Sequence, residues 1–152
     1  MHRGEHGPVR SMYRGSVMTT STEQLAGHFP SLPVSARHAR ALVRTELRQM
    51  GGTDEAIDDL DLVVSELMAN AIQHGNGSDI LVTVDGRSAM WFAVTVSNGV
   101  AASLPSMDPT KWAVAATERP SGRGLGIIRR LADEIDVAES AGQLHVTCRR
   151  RR

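Results

Sequence analysis

Residues 65–74, SELMANAIQH, decide the fold because they join a helical pattern to two polar groups at helical spacing. Apolar residues lead into this stretch and run through it at intervals of three and four, namely Ile57, Leu60, Val64, Leu67 and Ala71. Thr53 is a suitable N-cap residue, and Gly75 is a suitable stop. The pattern predicts one long amphipathic helix that begins after Thr53 and ends at His74.

Glu66 and Asn70 are four residues apart in this helix, so their side chains stack on one face beside the apolar stripe. An amide oxygen is a suitable ligand for Mg²⁺, and a carboxylate one turn away can take a proton from an attacking hydroxyl. The same spacing also fits a solvent-exposed Glu66 and an Asn70 that caps a neighbouring loop. One turn further on, His74 either faces the same site or is a plain helix-end histidine.

Two predicted segments precede this helix. Residues 1–28 show no sustained periodicity and are rich in Gly, His, Arg, Ser and Thr, which predicts a disordered N-terminal tail. Apolar residues near helical spacing then predict a helix over about 34–50, ended by Gly51 and Gly52. The folded domain is therefore expected over residues 29–148.

The pattern changes after the long helix. Apolar residues alternate with a period of two in residues 80–84 and 90–96, and Asp85-Gly86 between these runs predicts a β-hairpin. Residues 99–121 carry three prolines and no regular pattern. A connection of that length in a compact domain predicts a lid or a binding loop.

The C-terminal part predicts a helix over about 125–134, followed by strands near 135–139 and 144–148 that are joined by a turn at Ala141-Gly142. The last four residues, 149–152, are all arginine and are expected to form a solvated basic tail. The order of elements predicts an α+β fold. We expect a two-layer α/β sandwich in which a mixed, mainly antiparallel sheet carries helices on one face.

Residues 122–126, GRGLG, precede the predicted third helix. Glycines allow close approach of a phosphate, and the free N–H groups at a helix start point at such an anion. The segment is not a Walker A loop, because no Lys-Ser/Thr follows, and a long loop in place of a strand makes it a poor Rossmann fingerprint. A plain tight loop fits the glycines as well, and Arg123 either contacts a phosphate or is solvated.

Composition restricts the function classes. The formal net charge of zero gives no reason to expect nucleic acid or an anionic membrane as a partner. No apolar run approaches the roughly 20 residues that span a bilayer, and the N-terminus lacks a secretory apolar region. One cysteine, Cys148, excludes an internal disulfide and is expected to be a small core residue. His28, His38 and His74 have no coherent metal-ligand spacing, so a metalloenzyme is not expected. The length of 152 residues predicts a single domain, and the lack of a signal or a membrane span predicts a cytoplasmic protein.

Together the motifs are more specific than each alone. Residues 62–75, LVVSELMANAIQHG, closely match the N box of the GHKL (Bergerat-fold) ATPase superfamily. Residues 122–127, GRGLGI, followed by RLAD at 130–133, match its second glycine box and the helix behind it. The chain from about residue 29 to 148 therefore resembles this superfamily, and within it the RsbW- and SpoIIAB-type anti-sigma-factor serine/threonine kinases.

The resemblance implies a Bergerat fold that binds ATP and Mg²⁺. It implies that Glu66 is the general base that activates a hydroxyl nucleophile and that Asn70 holds the Mg²⁺ that bridges the phosphates. It further implies a nucleotide-binding hinge and phosphate cradle in the second glycine box, formed by Gly122, Arg123, Gly124, Leu125 and Gly126.

One position departs from the family pattern. The first glycine box of the family carries an Asp that accepts a hydrogen bond from the adenine amino group, and Asn98 stands at that position here. An Asn oxygen still accepts such a bond, but without charge, and the expected weakening is about 1–2 kcal/mol. Thr147 or Leu144 stands where the family often has a Thr near the adenine.

The resemblance implies a kinase that phosphorylates a Ser or Thr of an anti-sigma-antagonist (STAS) protein and sequesters a sigma factor, commonly as a homodimer. Asn98 speaks for an alternative, a degenerate binding module that regulates a partner with weak or no nucleotide turnover. A catalytic domain detached from a histidine kinase fits less well, since no phosphoacceptor helix with a His is predicted before Phe29.

Overall fold

A computed structural model describes residues 17–21, 23–100 and 120–152 of the protein. Within these ranges the chain forms three helices and six strands. In chain order they are β1 (Val17–Ser21), β2 (Gln24–Phe29), α1 (Pro33–Gln49), α2 (Asp54–His74), β3 (Ile80–Asp85), β4 (Trp91–Gly99), α3 (Pro120–Leu131), β5 (Glu134–Ser140) and β6 (Gln143–Arg151). Most of the predicted connection at 99–121, namely residues 101–119, lies outside the described residues.

The six strands form one sheet in the order β1-β2-β3-β4-β6-β5, and every described neighbouring pair is antiparallel. All three helices share a single apolar core with one face of this sheet. The predicted α+β sandwich is confirmed, with an antiparallel sheet where the sequence predicted a mixed, mainly antiparallel one. No helix in the described ranges combines the length and apolarity that crossing a bilayer requires.

Alternation along the strands decides which face is buried. In β4, Phe92 and Val94 are fully buried, whereas Trp91 and Ala93 on the other face are half-buried. Met90 precedes the strand and is 63% exposed, so the buried alternation begins at Phe92 and not at Met90 as the sequence suggested.

The two long helices, both predicted from the sequence, pack against each other and against the sheet. Thr53 caps α2 by accepting a hydrogen bond from the Ala56 N–H at 3.2 Å. Asp61, 6% exposed on α2, accepts two hydrogen bonds from the Arg40 guanidinium of α1, at 2.8 and 3.1 Å. This pair raises the pKa of Arg40 and ties the two helices together beside the core. α2 ends at His74. The residue that follows, Gly75, has an extended conformation (φ −74°, ψ 173°) and does not form a left-handed cap.

The sheet begins earlier than the sequence predicted. β1 and β2 lie inside residues 1–28, which were expected to be a disordered tail; residues 1–16 of that tail lie outside the described residues. β2 buries only two large side chains, Leu25 and Phe29, and places Gly27 between them, so its alternation is weak in the sequence. Gly27 stands there because a Cβ would lie 2.9 Å from Leu42 of α1.

The predicted basic tail at 149–152 is also different in the structure, where residues 149–151 continue β6. The Arg150 guanidinium donates to Asp59 and Asp133 at 3.0 Å each and to Glu55 at 3.2 Å. The pKa of the Asp133 carboxyl is below its ordinary value, mainly because the Arg151 backbone N–H donates a hydrogen bond to it. The hydrogen bond from the Arg150 guanidinium lowers this pKa further. Carboxylates from α2 and from the turn before β5 thus neutralise an arginine that looks unpaired in the sequence.

Arg152 is held by backbone oxygens. Its guanidinium donates to Ser88 O at 2.9 Å and to Met50 O at 3.2 Å, and it also donates to Gly86 O. The same group lies over the Phe92 ring, 4.1 Å from its centroid. The end of the described chain is exposed, but its last side chain is held by these contacts where the sequence predicted a solvated tail.

We expect Cys148 to be unreactive in the folded protein. The residue is fully buried in β6, which confirms its predicted core role, and burial raises the pKa of its thiol to about 12. Because the thiolate is the reactive form, a neutral, enclosed thiol at pH 8 should not be alkylated. Iodoacetamide labelling followed by mass spectrometry should show modification only in guanidinium chloride. Equal labelling rates in native and denaturing buffer would contradict this burial.

Candidate functional site

Glu66 and Asn70 lie one turn apart on α2, as the spacing predicted. Both side chains are half-buried, while Leu67 and Met68 on the adjoining face are buried in the core. The core contacts fix the rotation of the helix, and this rotation keeps the two polar side chains at the edge of the helical layer. His74 at the end of the same helix is exposed.

The segment 122–126 was predicted as a loop, and in the structure it lies inside α3. The helix begins with Pro120, which suits a first helical position because it needs no hydrogen-bond donor there. Ile128 is fully buried, and Leu125 and Leu131 pack against the core, so the apolar stripe holds the helix on α2. This packing outweighs the poor helix propensity of the glycines, which cost about 1 kcal/mol each relative to Ala.

Within α3, Gly124 contacts Glu66 directly. A Cβ atom on Gly124 would lie 2.5 Å from Glu66 Oε2 and 3.4 Å from its Cδ. Gly124 and Gly126 are buried, and Leu125 is half-buried. For Gly122 and Arg123 the structure gives the backbone as helical, while their side-chain surroundings lie outside the described part.

Asn98 lies near the end of β4 and is 6% exposed. Its Nδ2 donates to Gly99 O at 3.1 Å, and this assignment of the amide leaves Oδ1 as an acceptor. Leu144 is its partner across β6, and Thr147 lies three positions further along, where its hydroxyl meets that of Thr95 at 2.8 Å. The register therefore places Leu144, and not Thr147, beside Asn98.

Gly75 belongs to this end of the site, a role that the sequence interpretation missed. A Cβ on Gly75 would lie 2.3 Å from Ala71 O and 3.1 Å from Asn98 Nδ2. The glycine thus lets the end of α2 approach β4 closely, and a bridge between Gly75 and Val100 closes the junction. Its sequence signal is ambiguous, because a glycine after a helix most often indicates a cap.

The polar groups of the candidate site lie on α2 and beside its C-terminal end. Glu66 touches α3 at one end, Asn70 follows one turn later, and Asn98 lies beside Gly75 at the other end. Gly75, the residue after α2, is nine positions beyond Glu66, which corresponds to a rise of about 13 Å along the helix axis and to about half a turn around it. These three groups offer a proton acceptor, an amide that suits a hard cation, and a buried hydrogen-bond acceptor. In the described part of the chain, no three His, Cys, Asp or Glu side chains cluster as metal ligands.

The chain is similar in fold to the crystal structure of the RsbU and RsbW domains of Rv1364c from Mycobacterium tuberculosis. The two share 21% sequence identity with a TM-score of 0.57, over 83% of this chain and 32% of the other. This chain thus spans about a third of the length of that protein chain, and a likeness at this identity shows the fold alone. No curated protein matches the sequence.

The profile of the histidine kinase-like ATPase domain matches residues 29–150. The match includes α1 to α3, β3 to β5, most of β6 and the three polar residues Glu66, Asn70 and Asn98. It therefore supports the same superfamily that the N box and the second glycine box indicated. The chain belongs to the histidine kinase-like ATPase domain family.

Proposed function

We propose that the protein is an ATP-dependent serine/threonine kinase that phosphorylates a STAS-domain anti-sigma antagonist and binds a sigma factor. The observation that carries the proposal is the placement of three polar groups around α2: Glu66 contacts Gly124 of α3, Asn70 follows one turn later, and Asn98 lies beside Gly75 at the end of the helix. We further propose that the protein acts in the cytoplasm as a homodimer, like the kinases that its motifs resemble.

The Asn98 end suits the adenine. Its Nδ2 is occupied by Gly99 O, so Oδ1 is the atom that would accept a hydrogen bond from the adenine amino group. Low exposure strengthens such a bond, because little water competes with the ligand. A ligand with a carbonyl at the same position would meet two facing acceptors, which disfavours guanine.

The other end suits the phosphates and Mg²⁺. The Asn70 amide oxygen would bind the metal, and the free backbone N–H groups in the first turn of α3, which includes Gly122, would lie next to the phosphates. Mg-ATP supplies the phosphoryl group when it is bound. Glu66 is half-buried beside α3, and there it would accept the proton of a Ser or Thr hydroxyl as that oxygen attacks.

Nucleotide binding is the first test. Isothermal titration with Mg-ATP, Mg-ADP and Mg-GTP should show binding of both adenine nucleotides and much weaker binding of the guanine nucleotide. Incubation with labelled ATP and candidate STAS proteins should then label a Ser or Thr of one of them. If no nucleotide binds at millimolar concentration, the proposal that the protein is an ATP-dependent kinase is wrong.

Asn98 favours a second candidate, a binding module that holds nucleotide and partner without turnover. An uncharged acceptor loses an estimated 1–2 kcal/mol relative to the Asp of the family pattern. Nucleotide binding without transfer to any STAS protein, together with sigma-factor binding, would support this module. Asn98→Asp in the same titration tests the adenine contact, and an affinity left unchanged would place the adenine acceptor elsewhere.

A further inference from the structure

We infer that Gly124 is a positioning residue for Glu66, because its missing side chain leaves the space that the Glu66 carboxylate occupies against α3. This inference rests on the proposed function of Glu66 as a base. It assigns to Gly124 a role that differs from flexibility or contact with phosphate. The contact itself can be tested without nucleotide.

The space in question is narrow. A Cβ on Gly124 would lie 2.5 Å from Glu66 Oε2, 3.4 Å from Cδ and 3.5 Å from the Cβ of Glu66. The first distance is well inside van der Waals contact between carbon and oxygen, so one of the two groups must move. Any residue other than glycine at position 124 therefore changes where this carboxylate lies.

Backbone conformation does not explain the glycine. Gly124 is helical, and its φ is outside the left-handed region in which glycine is required. Inside a helix, glycine is less favourable than alanine, so local stability favours alanine at this position. Close approach to Glu66 is the physical reason that the described contacts provide.

The helix is held more firmly than the carboxylate. Ile128 is fully buried one turn after Gly124, and Leu125 and Leu131 pack against the core. Moving α3 away from α2 would open this apolar contact, whereas the Glu66 side chain has three rotatable bonds. A methyl group at position 124 should therefore displace the carboxylate and leave α3 in place.

A displaced carboxylate has a specific kinetic signature. The backbone N–H of residue 124 is retained in Gly124→Ala, so the affinity for Mg-ATP should stay close to that of the wild type. The kcat of transfer to the STAS substrate should fall, by about 100-fold if the base is misplaced by about 1 Å. An unchanged kcat, or a loss confined to nucleotide binding, would overturn the positioning role.

A thermal-unfolding cycle without nucleotide tests the contact. Gly124→Ala is compared in three backgrounds, wild type, Glu66→Gln and Glu66→Ala. Alanine should raise the Tm in the Glu66→Ala background, where the space is open, and should raise it less or lower it in the other two. Glu66→Gln behaves like wild type because the amide has nearly the same shape as the carboxylate.

Gly126→Ala is the matched control for this cycle. It introduces the same methyl group on the same helix, two residues on and thus on the other side of α3. Its effect on the Tm should be equal in all three backgrounds. Equal effects of Gly124→Ala in the three backgrounds would overturn the inference. A wild-type protein without transfer activity would instead fail the proposed function, and the cycle would still decide whether Gly124 holds the carboxylate.

Discussion

Glu66→Gln should lower the rate of phosphoryl transfer by about 10²–10⁴-fold, the contribution typical of a general base. The amide keeps the shape of the side chain against Gly124 but cannot accept the proton of the attacking hydroxyl. Binding of Mg-ATP should persist, because Asn70 and Asn98 are unchanged. Single-turnover transfer to the STAS substrate, together with calorimetric nucleotide affinity, measures both quantities.

Glu55→Gln is the control for this experiment. Glu55 is an exposed carboxylate near the start of the same helix, 80% accessible and paired with Arg150, far along α2 from the site. Its variant should transfer phosphate at the wild-type rate. Full activity of Glu66→Gln would contradict the role of Glu66 and would favour a base supplied by another residue.

Phe92→Ala should lower the free energy of unfolding by about 3–5 kcal/mol, the usual cost of deleting a buried aromatic ring. Phe92 is fully buried in β4, and the Arg152 guanidinium lies over its ring, so the variant loses packing on both sides. Urea unfolding monitored by circular dichroism measures the difference.

The neighbouring residue provides the matched comparison. Trp91 lies on the helix-free face of the same strand and is half-buried, with Arg151 5.4 Å from its ring centroid. Trp91→Ala should cost roughly 1 kcal/mol, as expected for a surface position with one favourable contact. Similar losses in the two variants would contradict the register that places Phe92 inside and Trp91 outside.

Local patterns predicted the helices and the central hairpin because their signals lie close together in the chain. The stripe from Ile57 to Ala71, the Thr53 cap and the alternation of β3 and β4 each depend on neighbouring residues. The Glu66–Asn70 pair follows from the same helix geometry. Its proposed roles in catalysis and metal binding stay predictions.

Other features were not readable from local patterns. Arg150 finds its carboxylates 17, 91 and 95 residues away, so four consecutive arginines looked like a solvated tail. In β2, Gly27 conceals the alternation because its space is filled by Leu42 of α1. The glycines of α3 indicate a loop by propensity, whereas packing of Leu125, Ile128 and Leu131 on the core favours a helix there.

The place of β6 in the sheet has a consequence for biogenesis. β6 lies between β4 and β5, yet it is translated after both of them. While a ribosome is still making residues 143–151, β4 exposes an open edge and β5 has no described partner strand. The nascent chain therefore emerges with α1, α2 and the central hairpin able to associate, and the sheet is completed only after β6 leaves the exit tunnel.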